Sequence, residues 1–390
     1  MKNIIIYGAG NKGVFLSRLL KNKTHLLEEK FNILYFCDTY KEAGSYVEGI
    51  EIISPEQLEQ IEYKIDFIVI SSNDYAEAIQ SNLIALKIST KVYVIPEYVY
   101  KFMWKSFDDK LDMPFLLSVD LNKPRMPYLE IMIVDHCNLN CKACSALANI
   151  KEPKYLDLEE FELSMKRLKE LFWGIKYLKL FGGEPLLHPK LKEFLTVARM
   201  HFPDSKLVVH SNGLLIPKMD DNLFKVMREK NIQFEFTQYP PTGTKKRQII
   251  KKLEENGLEY RFREPLYEFR KPVNIHGDYE EKEVYKTCCK CINLIQGTLS
   301  CGFGWMLKGL EDLYGTVICD DKFQHCINIF DTDLNGWEIN TVLDSPFNLC
   351  KYCSFMNVTD IDERTMEWKC GGPYKLEDWV YDRNVSDTQN

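Results

Sequence analysis

Three things are scarce in this 390-residue chain, and each scarcity closes off a class of function. Long apolar runs are missing: the longest, such as Phe67 to Ile70 and Ile131 to Val134, have the length of strands. Crossing a bilayer takes roughly 20 apolar residues in a helix, so no membrane segment is expected. Excess positive charge is also missing. The formal net charge is -7, whereas holding nucleic-acid phosphates needs a concentrated basic surface. The local exception, Lys245-Lys246-Arg247 with Lys251-Lys252, reads as the solvated face of a helix. Cysteine is thin over the first three quarters. Nine of the 13 lie beyond residue 287, the count is odd, and Met1-Lys2-Asn3 leads into a strand and glycines rather than a secretion signal. Reduced thiols, free to bind metal in a cytoplasmic setting, are the expectation.

What is present is the composition of a folded protein, 45% hydrophobic and 27% charged, long enough for two or three cores. The most informative stretch is Cys137-Asn-Leu-Asn-Cys141-Lys-Ala-Cys144. Three thiolates spaced CxxxCxxC can hold one face of a cubic iron-sulfur cluster and leave its fourth iron open for chemistry. A structural zinc would want four closed ligands, and the one nearby fourth candidate, His136, sits too close in sequence to chelate without strain.

Before that loop, the run Ile4 to Tyr7 leads into Gly8-x-Gly10-x-x-Gly13 and an amphipathic stretch, Val14 to Leu20. A glycine turn between strand and helix permits close approach of a phosphate to backbone N–H groups. Further strands are predicted at Ile33 to Phe36, Asp66 to Ile70 and Lys91 to Ile95. Asp38 ends the second of them, where a ribose-binding acid is expected. The alternation predicts an α/β, Rossmann-like parallel sheet over residues 1–100. It resembles the nucleotide-binding N-terminal domains of polysaccharide-modifying enzymes through Tyr7-Gly8-Ala9-Gly10, Cys37-Asp38, Gly49-Ile50 and Ser54-Pro55-Glu56. That resemblance implies a nucleotide held by Gly8, Gly10, Gly13 and Asp38; a docking module that keeps its glycines for packing is the alternative. Residues 101–127, with Trp104, Phe107, Asp108-Asp109-Lys110 and prolines 114, 124 and 127, read as a linker.

From Tyr128 strands and helices alternate again, with strands at 128–134, 177–181, 206–210, 233–237 and 259–263. Parallel strands joined by helices collect ligands at their C-terminal ends, and the motifs sit there. Gly182-Gly183-Glu184-Pro185 follows the second strand, where the glycines bare backbone groups suited to a cationic amine. Ser211-Asn212-Gly213 follows the third and Thr237 ends the fourth, offering hydroxyl and amide groups for a carboxylate or ribose. Singly these are turns. Together, CxxxCxxC, GGEP and SNG resemble the radical S-adenosylmethionine (SAM) enzymes. The resemblance implies a partial (β/α)6 barrel over residues 128–275, a [4Fe–4S] cluster on Cys137, Cys141 and Cys144, and SAM held by Gly182, Gly183, Glu184, Pro185, Ser211, Asn212 and Thr237. Ala143 departs from the family, which usually carries an aromatic residue there, and the departure should alter shielding of the cluster.

The C-terminal cysteines form two pairs, Cys291 with Cys301 across a glycine turn and Cys350-x-x-Cys353. This resembles the twitch module, the shortened SPASM extension, and implies a small α+β domain over residues 276–375 with one auxiliary [4Fe–4S] cluster on Cys291, Cys301, Cys350 and Cys353. Cys288 or Cys289 can replace Cys291, and zinc competes for such a site. Cys319, Cys326 and Cys370 are left as core or spare thiols, one of which could donate a hydrogen atom. Residues 376–390 are a tail.

The resemblance implies reductive cleavage of SAM to a 5'-deoxyadenosyl radical that abstracts hydrogen from a small polar, sugar-like or nucleotide-linked substrate. Flavodoxin or ferredoxin would donate the electron. An auxiliary cluster favours dehydrogenation; epimerisation with a thiol hydrogen donor and peptide modification are alternatives. The non-enzyme alternative is an iron-sulfur electron-transfer or redox-sensing protein. Arg261 and Arg263 are candidates for a phosphate or carboxylate.

Overall fold

The computed structural model describes residues 1–22, 30–103, 114–319, 326–355 and 365–382. Trp104, Phe107 and Asp108-Asp109-Lys110 of the expected linker, and the end of the tail, lie outside the described residues. The chain divides into two units, Met1–Arg125 with Leu171–Gly174, and Met126–Glu170 with Ile175–Asn390. Both are α/β.

In the first unit the strands are β1 (Lys2–Tyr7), β2 (Phe31–Cys37), β3 (Tyr46–Val47), β4 (Ile50–Ile53), β5 (Phe67–Ile70), β6 (Lys91–Val94) and β7 (Leu117–Val119). Helices α1 (Asn11–Asn22), α2 (Pro55–Ile61), α3 (Ala76–Ala85) and α4 (Glu97–Met103) alternate with them. The sheet order is β3-β4-β2-β1-β5-β6-β7. Its five middle strands are parallel, and β3 and β7 are antiparallel edges. In β1, Ile4 and Ile6 pack into one apolar cluster and Ile5 and Tyr7 into another. A strand covered on both faces must be apolar at every position, which is why Ile4-Ile5-Ile6-Tyr7 shows no alternation. Strand β4 was not foreseen. Its four residues follow a glycine at φ +73° and read locally as a turn, but they pair with β2.

The second unit begins with β8 (Arg125–Val134), followed by α5 (Leu158–Leu171), β9 (Gly174–Gly182), α6 (Leu191–His201), β10 (Lys206–Ser211), α7 (Asp221–Glu229), β11 (Gln233–Gln238), α8 (Pro240–Glu255) and β12 (Tyr260–Pro265). The chain continues with β13 (Glu268–Arg270), β14 (Val273–Asn274), α9 (Glu281–Lys286), β15 (Ile292–Ile295), β16 (Thr298–Cys301), α10 (Gly302–Tyr314), β17 (Ile327–Asn328), α11 (Gly336–Leu343), β18 (Thr365–Glu367) and β19 (Val380–Tyr381). The large sheet has the order β12-β11-β10-β9-β8-β15-β16-β17. Strands β8 to β12 lie side by side in chain order, and β15 adds in parallel to the free edge of β8. The hairpin that carries Cys291 and Cys301 therefore continues the same sheet. Local pattern specified the hairpin through Gln296-Gly297, both at positive φ. Which edge it would join is a non-local pairing that no local pattern encodes.

Helix α5 begins at Leu158, with Asp157 accepting from the backbone N–H of Glu159 at 2.8 Å and of Glu160 at 3.4 Å. An Asp just ahead of the first turn satisfies N–H groups that have no partner within the helix. Two short pairings complete the unit: β13 with β18, and β14 with β19. They hold residues 365–382 against the end of the β8–β12 region.

Candidate functional site

The loop 137–144 lies between β8 and α5, at the C-terminal end of β8. Asn140 and Ala143 take left-handed φ of 51° and 52°, which curl the loop so that its three sulfurs sit within electrostatic reach of one another. All three thiols are free and largely withdrawn from water. Burial is the main cause that pushes Cys137 up to about 11 and Cys141 up to about 12, and it raises Cys144 as well. Left alone they stay protonated; bound iron supplies the positive charge that makes three buried thiolates tolerable. Among the described residues no three His, Cys, Asp or Glu side chains converge to hold a single ion. A cubane does not require that convergence, since each thiolate binds its own iron. The loop's donor set fits such a cluster.

Gly182-Gly183-Glu184-Pro185 ends β9 beside this loop. The N–H of Gly183 donates to the Val134 carbonyl at 2.7 Å, and that of Glu184 to the His136 carbonyl at 3.0 Å. A Cβ on Gly182 would overlap the Val134 backbone, and one on Gly183 the His136 backbone. The glycines thus let β9 close onto the start of the cysteine loop. Glu184 is fully buried. Its carboxylate accepts from the N–H of Leu186 at 3.0 Å, the Ser211 hydroxyl at 2.7 Å and the Asn212 N–H at 2.8 Å. Burial raises its pKa to about 7 against the lowering effect of those three hydrogen bonds. With its lone pairs so engaged, Glu184 orients Ser211 and Asn212.

Asn212 in turn donates through Nδ2 to Asn138 Oδ1 at 2.7 Å and to Cys137 Sγ at 3.6 Å, and its carbonyl accepts from Thr242 at 2.7 Å. Pro185 is buried behind the turn. Thr237 Oγ1 lies 2.7 Å from His210 Nε2, one strand further on. Val134, His136, the cysteine loop, GGEP and SNG are therefore a single hydrogen-bonded assembly, with Thr237 beside it. His136 packs edge-on against Tyr155 at 5.0 Å.

Aromatic cover for the loop, which Ala143 does not supply, comes from elsewhere in the chain. Trp368 Nε1 lies 3.2 Å from Cys141 Sγ, Tyr374 donates to the Asn140 carbonyl at 3.2 Å, and Trp379 Nε1 to the Cys144 carbonyl at 2.9 Å. Nothing near residue 143 signalled this.

A cavity of about 690 Å³ opens over the sheet beside the loop. Tyr128, Glu130, Met132, Lys179, Phe181 and Arg263 of the strands form one wall. Ser145 to Leu147, just past Cys144, form another, and Trp305 and Asp312 of α10 face them together with Cys289 and Cys291. Lys179 bonds Glu130 at 2.6 Å, Glu130 also takes the Asn293 amide at 3.3 Å and the Tyr128 hydroxyl, and Arg263 bonds Glu235 at 2.6 Å. The carboxylate met by Arg261, at 3.6 Å, and by Arg263 is thus Glu235 of the neighbouring strand. Arg261 and Arg263 were singled out from sequence, but Glu130, Lys179 and Glu235 were not; for Glu130 and Lys179 the signal was their alternation with buried Leu129, Ile131 and Leu178, Leu180. Trp305 keeps its buried Nε1–H without an acceptor among the described residues.

Two of the C-terminal cysteines, Cys289 and Cys291, line the same cavity. Cys291 and Cys301 lie at the open end of the β15–β16 hairpin, where Ile292 pairs with Cys301 and the Gly302 N–H donates to the Cys291 carbonyl at 3.0 Å, and Cys288 and Cys289 are within electrostatic reach of them. Burial, then the nearby Cys301 and Cys350, raise Cys353. Cys350 and Cys353 lie in a tight turn, the N–H of Cys353 donating to the Cys350 carbonyl at 3.2 Å. The structure gathers all six thiols. Cys319 is buried in an apolar cluster, Cys326 contacts the Ser300 hydroxyl at 3.4 Å, and Cys370 faces Cys141 across an antiparallel bridge; none of the three lines the cavity.

The glycine turn of the first unit is arranged differently. Gly8 has φ +103° and its Cβ would lie 2.5 Å from Ser71 Oγ, a Cβ on Gly13 would overlap the Gly8 carbonyl, and Gly10 has open space around it. Asp38 accepts from the N–H of Ala9 at 2.8 Å, of Tyr40 at 2.9 Å and of Lys41 at 3.1 Å. Lys41 Nζ bonds the Ala9 carbonyl at 2.6 Å. In the basic cluster on α8, Lys252 pairs with Asp221 at 2.7 Å, Lys251 with Glu255 at 3.8 Å, and Lys246 bonds Gln238 at 2.7 Å.

Residues 131–260 match the family model of the radical SAM superfamily, and residues 1–93 match a model described as C2185-like, N-terminal. The chain carries a radical SAM domain, and that family implies a [4Fe–4S] cluster and SAM as its cofactors. Among curated proteins it is similar to the GTP 3',8-cyclase of Microcystis aeruginosa (strain NIES-843 / IAM M-2473), 30% identical over 118 residues, 28% of this chain and 35% of that protein. It is also similar to the GTP 3',8-cyclase of Trichodesmium erythraeum (strain IMS101), 35% identical over 115 residues, 28% of this chain and 34% of that one. The chain spans about a third of the length of these relatives. A solved structure described as "Crystal structure of BtrN in complex with AdoMet and 2-DOIA" aligns over 60% of this chain and 94% of that chain at 18% identity, with a TM-score of 0.38. Among the described residues no helix is long and apolar enough to cross a membrane.

Proposed function

We propose that this radical SAM enzyme dehydrogenates a small polar, sugar-like substrate held in the cavity beside the cysteine loop. The carrying observation is that one cavity of about 690 Å³ is walled by the segment after Cys144, by a polar strand face, and by Cys289 and Cys291. Cys137, Cys141 and Cys144 would hold the catalytic cluster and Cys291, Cys301, Cys350 and Cys353 an auxiliary one. With SAM bound, these supply a 5'-deoxyadenosyl radical for hydrogen abstraction and a centre for one-electron exchange.

The chain's own residues do the positioning. Glu184 fixes Ser211 and Asn212, which with the bared GGEP backbone and Thr237 would orient SAM. Lys179, Glu130 and Asn293 form a hydrogen-bonded floor suited to hydroxyl groups. The unpartnered Trp305 N–H fits an acceptor on the substrate, since a buried donor without a partner costs roughly 1–3 kcal/mol. The walls from α10 and the cysteine hairpin exclude water, which protects a reactive radical. The chain spans about a third of the length of the GTP 3',8-cyclases it resembles, so GTP is not carried over as substrate.

Cys289 in the cavity wall favours a second reading, epimerisation with a thiol returning hydrogen. Anaerobically reconstituted protein given SAM and dithionite is expected to form 5'-deoxyadenosine, and the Cys137→Ala/Cys141→Ala/Cys144→Ala variant to form none. No 5'-deoxyadenosine from the wild type overturns the enzyme reading in favour of an electron-transfer role. With a turned-over substrate in deuterated water, product lacking carbon-bound deuterium supports oxidation, and deuterium at the attacked carbon supports epimerisation.

A further inference from the structure

Residues 368–371 run antiparallel to the cysteine loop. Lys142 donates to the Lys369 carbonyl at 2.9 Å and Gly371 to the Asn140 carbonyl at 3.0 Å, so Cys141 and Cys370 form a bridged pair. Side chains two apart on a strand share a face, and Trp368 accordingly reaches Cys141 from the same side as Cys370. Its indole N–H lies 3.2 Å from Cys141 Sγ.

The nearest donors to the other two sulfurs are backbone groups close in sequence. Cys137 takes the Leu139 N–H at 3.4 Å, with the Asn212 amide farther off at 3.6 Å, and Cys144 takes N–H groups from residues 146 to 148. Trp368 is 227 residues away and is also held by contacts outside the loop. Its backbone N–H donates to the Tyr267 carbonyl at 2.7 Å, β18 just before it pairs with β13, and its ring packs on Tyr239 at 5.9 Å. The donor is thus pre-aimed.

From this geometry we propose that Trp368 is a positioning residue for the electron, one that raises the reduction potential of the cluster held by Cys137, Cys141 and Cys144. The inference rests on the reading of that loop as the cluster site. Reduction adds negative charge to the cluster and its sulfurs, and a fixed N–H aimed at one sulfur stabilises the charged product more than the starting state. Outer hydrogen bonds of this type set potentials as the ligands themselves do. The indole carries no net charge, so its effect persists across pH and is little screened by salt. Its distance from the cavity, which it does not line, separates this role from substrate binding.

The test uses the full chain, reconstituted anaerobically, with midpoints read by electron paramagnetic resonance during a reductive titration. The SAM-binding cluster is recognised as the signal that changes when SAM is added. Trp368→Phe keeps the packing on Tyr239 and removes the N–H. Its expected result is a midpoint lowered by a tenfold shift in the one-electron equilibrium, about 59 mV, with iron content unchanged. Trp368→His places an N–H at a similar reach and is expected to recover part of the shift. An unchanged midpoint in Trp368→Phe overturns the proposal, and so does loss of the cluster in both variants, which would make Trp368 a packing residue. Absence of any SAM-responsive signal in the wild type instead overturns the cluster reading of the loop.

Discussion

Two glycine-rich turns follow two buried strands in this chain, and they are built to similar local rules with different results. In each, glycines are demanded by packing: a Cβ on Gly13 would overlap the Gly8 carbonyl and one on Gly183 the His136 carbonyl. In each, an acid accepts three N–H or O–H donors, Asp38 in the first unit and Glu184 in the second. Asp38 spends its carboxylate on its own turn and on Ala9 N–H, inside the loop that was expected to receive a phosphate. Glu184 spends its carboxylate on the next strand's Ser211 and Asn212, which pass the connection to Cys137. Glycine pattern alone does not distinguish a packed turn from a working one; the reach of the acid does.

The comparison breaks most visibly at the glycines. Gly13→Ala and Gly183→Ala are each expected to destabilise their own unit by about 3 kcal/mol or more, because backbone atoms cannot step aside as side chains do. Hydrogen-exchange protection of peptides from each unit measures this. Equal tolerance of both substitutions would remove the packing account.

Next in size is Glu184→Ala, which leaves a hydroxyl and two N–H groups buried without their acceptor. A loss of about 3 kcal/mol and of SAM binding by calorimetry is expected. The acid also imposes a pH dependence. Its folded pKa of about 7 lies above the ordinary 4.5, so between those values the native state keeps a proton that the unfolded chain has released. Stability contributed by this group therefore falls as pH rises through that window and is fully lost above about pH 7. Denaturant midpoints for Glu184→Gln should lack that decline.

Asp38→Ala should cost less, about 1–2 kcal/mol, since its partners lie nearer to solvent. Its thermal midpoint sharpens the contrast. The smallest effect is expected for Gly10→Ala, within about 0.5 kcal/mol of wild type, because nothing lies within 4 Å of its Cβ. If Gly10→Ala leaves the fold intact and abolishes binding of a nucleotide measured by calorimetry, the first turn is a phosphate site after all. Unchanged binding, or none in either protein, leaves it as packing.

Much of the architecture was legible because it is written locally. Strand-length apolar runs, helical periodicity and Asp157 before Glu159-Glu160 announce the α/β alternation, and Cys137-x-x-x-Cys141-x-x-Cys144 announces iron chemistry within eight residues. The unreadable parts are those that depend on which distant piece arrives. Strand β4 is a turn until β2 lies beside it. The hairpin at Gln296-Gly297 was visible, and its union with β8 was not. Glu130, Lys179 and Glu235 looked like ordinary polar positions of strands, because alternation tells which residues share a face and never which charges will meet across strands. Trp368 carried no signal at all: an isolated tryptophan beyond a gap in pattern is as easily a core residue.

The pairing of the cysteine loop with residues 368–371 also orders events in time. The ribosome adds residues at roughly 5–20 per second and N-terminal parts organise first. The 227 residues between Cys141 and Trp368 therefore correspond to roughly 11–45 seconds of synthesis. For that interval the three thiols exist without the strand that will cover them, and iron delivered then meets an open loop.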